Sequence, residues 1–256
     1  GGSVPSAIKH DAELSSKGLV TILVESQGSD QTQMEAFLWK RFPQNRCFSS
    51  VNTNVPIPRS GGLPHAAVIG VDGTILWSGN PLGQPKQIEE LITAELAKVS
   101  KGFGDTPTQK KVRATLFGKD NLAGAQALVD ALPEGAERTL LQAEIDARYA
   151  TKKAAIAALQ EQGDWLQAQS AAKALLKSVG AKAEWLAEVQ PLVAQFDTAE
   201  AKAEMGAAKK LDKVFDMLRN KKGDAAPKAV EAILKDHKDT KVGARAQRLL
   251  DALKTE

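Results

Sequence analysis

Few residues in this chain are of types that do chemistry. There is one cysteine, Cys47, with Arg46 beside it. An exposed thiol next to a guanidinium is pushed toward the thiolate, the form that attacks peroxides and mixed disulfides. A free cysteine more commonly packs as a small buried hydrophobe. One cysteine makes neither an intramolecular disulfide nor a multi-cysteine metal site. The three histidines, His10, His65 and His237, are too dispersed for a metal-ligand pattern, so no metal and no cofactor are expected. His65 directly follows Leu63-Pro64 and is a candidate for peptide contact.

The stretch ILVESQGSDQTQMEAF, residues 22–37, runs from a strand-like segment through a polar loop into a helix-like one. In open α/β sheets, ligands and chemistry collect at the carboxyl ends of strands. This loop offers Gln, Gly, Ser, Asp and Thr, with no evident nucleophile-base pair of the kind acyl transfer needs. It does contain Asp30 followed three residues later by Gln33. That spacing is an approximate capping box, in which side-chain oxygens satisfy the unpaired N–H groups of a helix start. The loop is therefore expected to start a helix rather than to react.

The elements that would position these residues follow from hydrophobic period. Leu19 to Val24 form a continuous apolar, β-branched run, expected as a central strand covered on both faces. Met34, Phe37, Leu38 and Phe42 recur at helical spacing until Pro43 ends the pattern. Cys47 to Val51 reads as a second short strand, followed by the Pro- and Gly-rich NTNVPIPRSGG. HAAVIG and TILWSG flank Val71-Asp72-Gly73, and Asp-Gly between two strand patterns predicts a hairpin. The segment closes with a helix whose inner face is Ile88, Leu91, Ile92, Leu96 and Val99. Trp39 and Trp77 read as packing residues. Trp39 falls one position off its helix's core stripe, which makes it a weaker binding-surface candidate.

The order β-α-β, loop, hairpin, helix resembles the thioredoxin-like fold, in its extracytoplasmic thiol-disulfide oxidoreductase and peroxiredoxin-related branch. The residues that carry the resemblance are GLVTILVES, GGLPHAAVIGVDGTILWSG and the closing amphipathic helix. The resemblance implies a cis-proline at the start of the third core strand, and Leu63-Pro64 occupies that place. It also implies a CxxC pair, or one peroxidatic cysteine, between the first core strand and the next helix. The matching positions are Gln31 and Met34, and neither is a cysteine. The reactive sulfur pair is thus absent from the scaffold, and the location implied is extracytoplasmic, periplasmic or secreted.

Composition changes near residue 100. Alanine fills 7 of the first 100 positions and 33 of the next 156, so the chain passes from α/β to all-α. The turn-forming stretch 101–107, with Thr106 as N-cap and Pro107 in the first helical turn, is the expected linker. Two domains are expected, 1–101 and 106–256. In the second, helices are predicted at 107–117, 121–132, 135–161, 164–179, 182–195, 198–221, 225–237 and 240–254. Their breaks are Gly118-Lys119-Asp120, a terminator and then Asp120 as N-cap, Pro133 with Gly135, and Gly163-Asp164 and Gly223-Asp224, each a Gly stop and an Asp start. Pro191 should kink or divide its helix. Paired amphipathic helices after the two Gly-Asp marks are similar to tetratricopeptide-type hairpins, and the expected form is an irregular α-solenoid or a helical bundle. Abundant alanine suits close helix approach.

Net charge is +3, and the Lys+Arg to Asp+Glu balance is 8 to 9 in residues 1–100 and 26 to 22 beyond. Neither half carries the concentrated basic face of a nucleic-acid binder. No apolar run approaches the roughly 20 residues of a membrane-spanning helix. The start of the chain lacks a signal-peptide pattern, which a removed leader would also leave absent. Three functions are consistent with these residues. The leading one is a non-catalytic protein- or peptide-binding protein whose surface includes Gln31, Met34, Trp39, Leu63, Pro64 and His65. The alternative is a one-cysteine oxidoreductase or peroxidase using Cys47. The third makes the chain an accessory portion of a larger secreted or envelope protein.

Overall fold

The computed structural model describes residues 3–43, 45, 47–51, 57, 62–220 and 223–254. Arg46 and, apart from Ile57, the Pro- and Gly-rich stretch 52–61 lie outside the described residues. The chain divides into two compact units. The first takes Gly1–Met34 and Asn45–Asp120, and the second takes Glu35–Gln44 and Asn121–Glu256. Composition changes near residue 100, whereas the contacts change at residue 120.

The first unit begins with a helix that hydrophobic period does not announce, α1 (Ser3–Leu14). Its buried face is Ile8 and Asp11, and the acid interrupts the apolar repeat by which an amphipathic helix is recognised. Strand β1 (Ile22–Glu25) and strand β2 (Phe48–Val51) pair in parallel, Ile22 opposite Phe48 and Glu25 opposite Val51. Helix α2 (Gln31–Arg41) lies between them in the chain. Strands β3 (Ala66–Ile69) and β4 (Ile75–Gly79) form the expected antiparallel hairpin, with Gly73 in the left-handed region at φ 85°. The Leu63–Pro64 peptide is cis.

Expectation and structure part at β1. Its side chains alternate between exposed and half-buried, and Val20 and Ile22 are 64 % and 59 % exposed. A run of apolar residues is therefore not, here, a strand covered on both faces. Among the described residues β1 is bonded to β2 alone.

Helix α3 (Pro85–Lys101) turns its Ile92 side inward and buries Glu95 there as well. Helix α4 (Pro107–Arg113) starts on Thr106, whose side chain accepts the Gln109 N–H, with Pro107 in the first turn. It leads into a π-helical turn, Ala114–Gly118. Both pack on α3, and closely: a Cβ on Gly102 would stand 1.8 Å from Lys110 O, and one on Gly118 would stand 2.8 Å from Val99 O.

The second unit holds α5 (Leu122–Asp130), α6 (Ala136–Glu161), α7 (Trp165–Val179), α8 (Ala183–Ala194), α9 (Ala199–Arg219), α10 (Ala226–His237) and α11 (Lys241–Lys254). These agree with the helical periods within a few residues, because Gly, Asp, Asn and Thr punctuate them. Asp164 and Thr198 cap α7 and α9. Two caps differ from expectation. Asn121, not Asp120, accepts the Gly124 N–H at 2.8 Å to start α5. Gly223-Asp224 enters a 3-10 turn, Gly223–Ala225, before α10. Pro191 lies inside α8 and does not divide it, since the helix runs on to Ala194.

Helices α5 to α8 pack in consecutive pairs, as do α9 to α11; α7 also packs on α5 and on α9, which in turn packs on α11. The core of α9, α10 and α11 is Leu211, Val214, Phe215, Val230, Ile233, Val242 and Leu249. Trp39, from the second half of α2, packs against it, with its ring 6.1 Å from Phe215. Arg248 Nε donates to Glu35 Oε2 at 3.1 Å and Arg219 Nη1 to Pro43 O at 3.3 Å.

Candidate functional site

The loop after β1 is organised by a residue that sequence reasoning passed over. The Glu25 carboxylate accepts three successive backbone N–H groups, from Gln27 at 2.6 Å, Gly28 at 3.2 Å and Ser29 at 2.9 Å. Gly28 has φ 97°, the left-handed geometry that lets the loop curl over this carboxylate. Three residues on, the capping box closes in both directions: Gln33 N–H donates to Asp30 Oδ1 at 2.8 Å, and Asp30 N–H donates to Gln33 Oε1 at 3.0 Å.

This geometry has a chemical consequence. A concave row of backbone N–H groups leading into a helix N-terminus is a ready site for an anion or a thiolate. Here Glu25 and Asp30 supply the negative charge from within the chain, and the donors are already used. Gln31 opens α2 in an exposed position, and Met34 is buried at 7 % exposure.

The other candidates fall in two groups. Leu63 is exposed, Pro64 half-buried, and His65 half-buried immediately before β3. His65 Nε2 is 2.8 Å from Ser78 Oγ on β4, a partner 13 positions away that no local spacing announces. His65 Nδ1 is buried with no hydrogen-bond partner. A buried orphan N–H is costlier than a buried orphan lone pair, which favours the tautomer with the proton on Nε2. In that tautomer His65 donates to Ser78 Oγ. Trp39 belongs to the second unit and packs there.

Cys47 is buried at 8 % exposure, and its N–H donates to Asn45 Oδ1 at 3.1 Å. Among the described residues no group of three His, Cys, Asp or Glu side chains is placed to hold a metal ion. Among the described residues no helix is long and apolar enough to cross a membrane.

The second unit carries a cluster of polar and aromatic groups between α6 and α8. Tyr149 of α6 stacks on Trp185 of α8 at 5.2 Å, with Lys182 over the Trp185 ring and Lys153 over the Tyr149 ring. Glu188 accepts from the Tyr149 hydroxyl at 3.1 Å and from the Lys153 ammonium. Burial, then the bond to Glu188, pushes the Tyr149 phenol up to about 12. The Lys153 and Tyr149 bonds hold Glu188 below its ordinary value. The cluster joins two helices and leaves neither aromatic face open for a ligand.

Comparison with protein-family models, with curated proteins and with solved structures finds no match to this chain.

Proposed function

We propose that this chain is a non-catalytic protein- or peptide-binding protein, built from a thioredoxin-like unit without its dithiol and a helical-repeat, α-solenoid-like unit. The observation that carries the reading is the occupied loop. Where the resembled family holds a reactive thiolate, Glu25 and Asp30 already take up the backbone donors. A scaffold whose anion site is filled by its own carboxylates retains a surface and no nucleophile.

The surface is apolar. Val20, Ile22, Val24, Leu63, Ile69, Ile75 and Leu82 of the first unit are all exposed. Ile22 and Val24 alternate along β1 and so share one exposed apolar face, the kind of surface that supports a binding reading. Gln31 and His65 are the polar members of the candidate surface. The stacking of α5, α7, α9 and α11 supports a solenoid reading for the second unit, an architecture that offers extended binding faces. By the same resemblance the protein works outside the cytoplasm. Burial of Cys47 sets the one-cysteine oxidoreductase behind this reading.

Two measurements test it. In a dithiothreitol-driven insulin-reduction assay the purified chain should add nothing to the rate of dithiothreitol alone. Fluorescence anisotropy with labelled, reduced and unfolded polypeptides should show binding that Ile22→Asp with Val24→Asp weakens at least about tenfold, the loss of roughly one buried aliphatic side chain. Accelerated insulin reduction, or binding untouched by the double substitution, overturns the proposal.

A further inference from the structure

The β3–β4 turn is held by a carboxylate that no step above uses. Glu95 of α3 is 8 % exposed. Its Oε2 accepts the Val71 N–H at 3.0 Å, and its Oε1 takes the Lys98 ammonium. The turn closes tightly around it. A Cβ on Gly70 would stand 3.3 Å from Glu95 Oε2, 3.0 Å from Asp72 Oδ1 and 3.3 Å from Thr74 Oγ1. Within the turn, Gly70 N–H donates to Thr74 O at 2.8 Å, and Asp72 Oδ1 accepts the Thr74 N–H at 3.0 Å and hydroxyl at 2.7 Å. Asp72 therefore organises the turn from inside, while Glu95 fastens it to α3.

The charged groups acting on Glu95 are Lys98, one turn along α3, and Asp72 in the turn itself. The π turn Ala114–Gly118 packed on α3 brings no titratable side chain. Helix α4 brings Lys110, Lys111 and Arg113, of which Arg113 donates to Phe103 O at 3.1 Å. Burial works to raise the Glu95 pKa, but the bonds from Lys98 and Val71 overcome it and leave the carboxyl below its ordinary value.

We propose that Glu95 is an ionic latch that fastens the β3–β4 hairpin to α3, and that neutralising it, by protonation or by substitution, frees the hairpin while the helical unit stays folded. A carboxyl with a depressed native pKa contributes its stabilisation above the ordinary carboxylate range and loses it as pH falls through the native value. The latch is thus closed at neutral pH and opens in acid. His65 precedes β3 and is bonded to Ser78 on β4, so a loosened hairpin carries that edge with it. The latch stands whether or not a partner binds the first unit.

Hydrogen exchange read by mass spectrometry on the full chain tests this. At neutral pH, Glu95→Ala should raise exchange in hairpin peptides spanning β3 and β4 about tenfold, the loss expected for one hydrogen bond to a charged group. Glu95→Gln keeps an acceptor for Val71 without the charge and should give a smaller rise. Peptides from α6 should exchange as in the wild type. After correction for intrinsic rates, wild-type hairpin exchange should rise as pH falls from about 5 to about 3, and the Glu95→Gln profile should be flat. Unchanged hairpin protection in Glu95→Ala, or a flat wild-type profile, overturns the latch. Should Glu95→Ala fail to fold, the wild-type pH profile decides, and a flat one overturns the latch by itself.

Discussion

Leu141, Ile145, Leu175 and Leu249 in the helical unit are fully out of solvent, whereas Val20, Ile22 and Leu63 in the strand-bearing unit keep more than half of their surface exposed. The residue types are alike, so the difference is architectural. A helix buries a stripe at a period of 3.6 residues, and each neighbour in a stack covers that stripe from a second side. Two short two-stranded ladders cannot do this for one another, and such a ladder is marginal without further cover. Alanine widens the contrast. Ala125, Ala168, Ala172, Ala207 and Ala246 are fully buried where helices approach each other. The helical unit thus buries most of its apolar stripes, whereas in the other unit the helices bury Val112, Leu116 and Ile92 and the strands leave apolar side chains exposed.

Substitution can break or sharpen this contrast. The largest effect is expected at Leu175→Ala, which leaves a cavity in a filled core and should cost about 3–5 kcal/mol. Ile22→Ala on the open strand face should cost less than about 0.5 kcal/mol. Urea denaturation followed by circular dichroism compares the two, and similar losses would dissolve the distinction. Next comes Trp39→Ala, expected to remove about 3 kcal/mol from the helical unit by emptying its place against Phe215. Hydrogen exchange should show that loss in α9 and α11. Appearance of the loss in β1 and β2 instead would place the second half of α2 in the wrong unit.

A smaller effect is expected at the start of α11. Glu204 on α9 accepts the Lys241 N–H at 2.8 Å and the Val242 N–H at 3.0 Å, capping that helix from a distance. Glu204→Ala should fray its first turn and cost about 1–2 kcal/mol, visible as faster exchange there and unchanged exchange in α6.

The least effect at neutral pH belongs to Tyr149, the one tyrosine in the chain. Its phenol should ionise with a midpoint near 12 in an absorbance titration, against about 10 for a free tyrosine. A raised native pKa means that the stabilisation is whole below the ordinary value and is lost as pH climbs from there toward about 12. Glu188→Gln should bring the midpoint back toward 10, and a native midpoint already at about 10 would show that the α6–α8 clasp is open.

Legibility divides along the same line as stability. The helices of the second unit can be read from the chain because their signals are local: Asp164 caps, Gly163 stops, and apolar residues recur at the helical period. The hairpin is legible in Asp72-Gly73 for the same reason. The capping box of Asp30 and Gln33 closes as its spacing suggests. What escapes is carried by polar groups with remote partners. Ser78 lies 13 positions from His65, and Val71 lies 24 from Glu95. Helix α1 escapes because Asp11 breaks its apolar stripe. Glu25 is local, and a carboxylate followed by Gly28 was a usable signal for a folded-over loop.

By itself the sequence determined the period of each helix, the turn chemistry between elements and the absence of a cysteine at Gln31 and Met34, since these depend on neighbours a few residues away. Only the tertiary structure decided that Val20 and Ile22 are exposed, that the Glu25 carboxylate takes up three backbone N–H groups of its loop, and that the second half of α2 joins the helical unit. Burial and the pairing of charges are sums over partners distant in the chain, and a residue's own type does not specify which partners arrive.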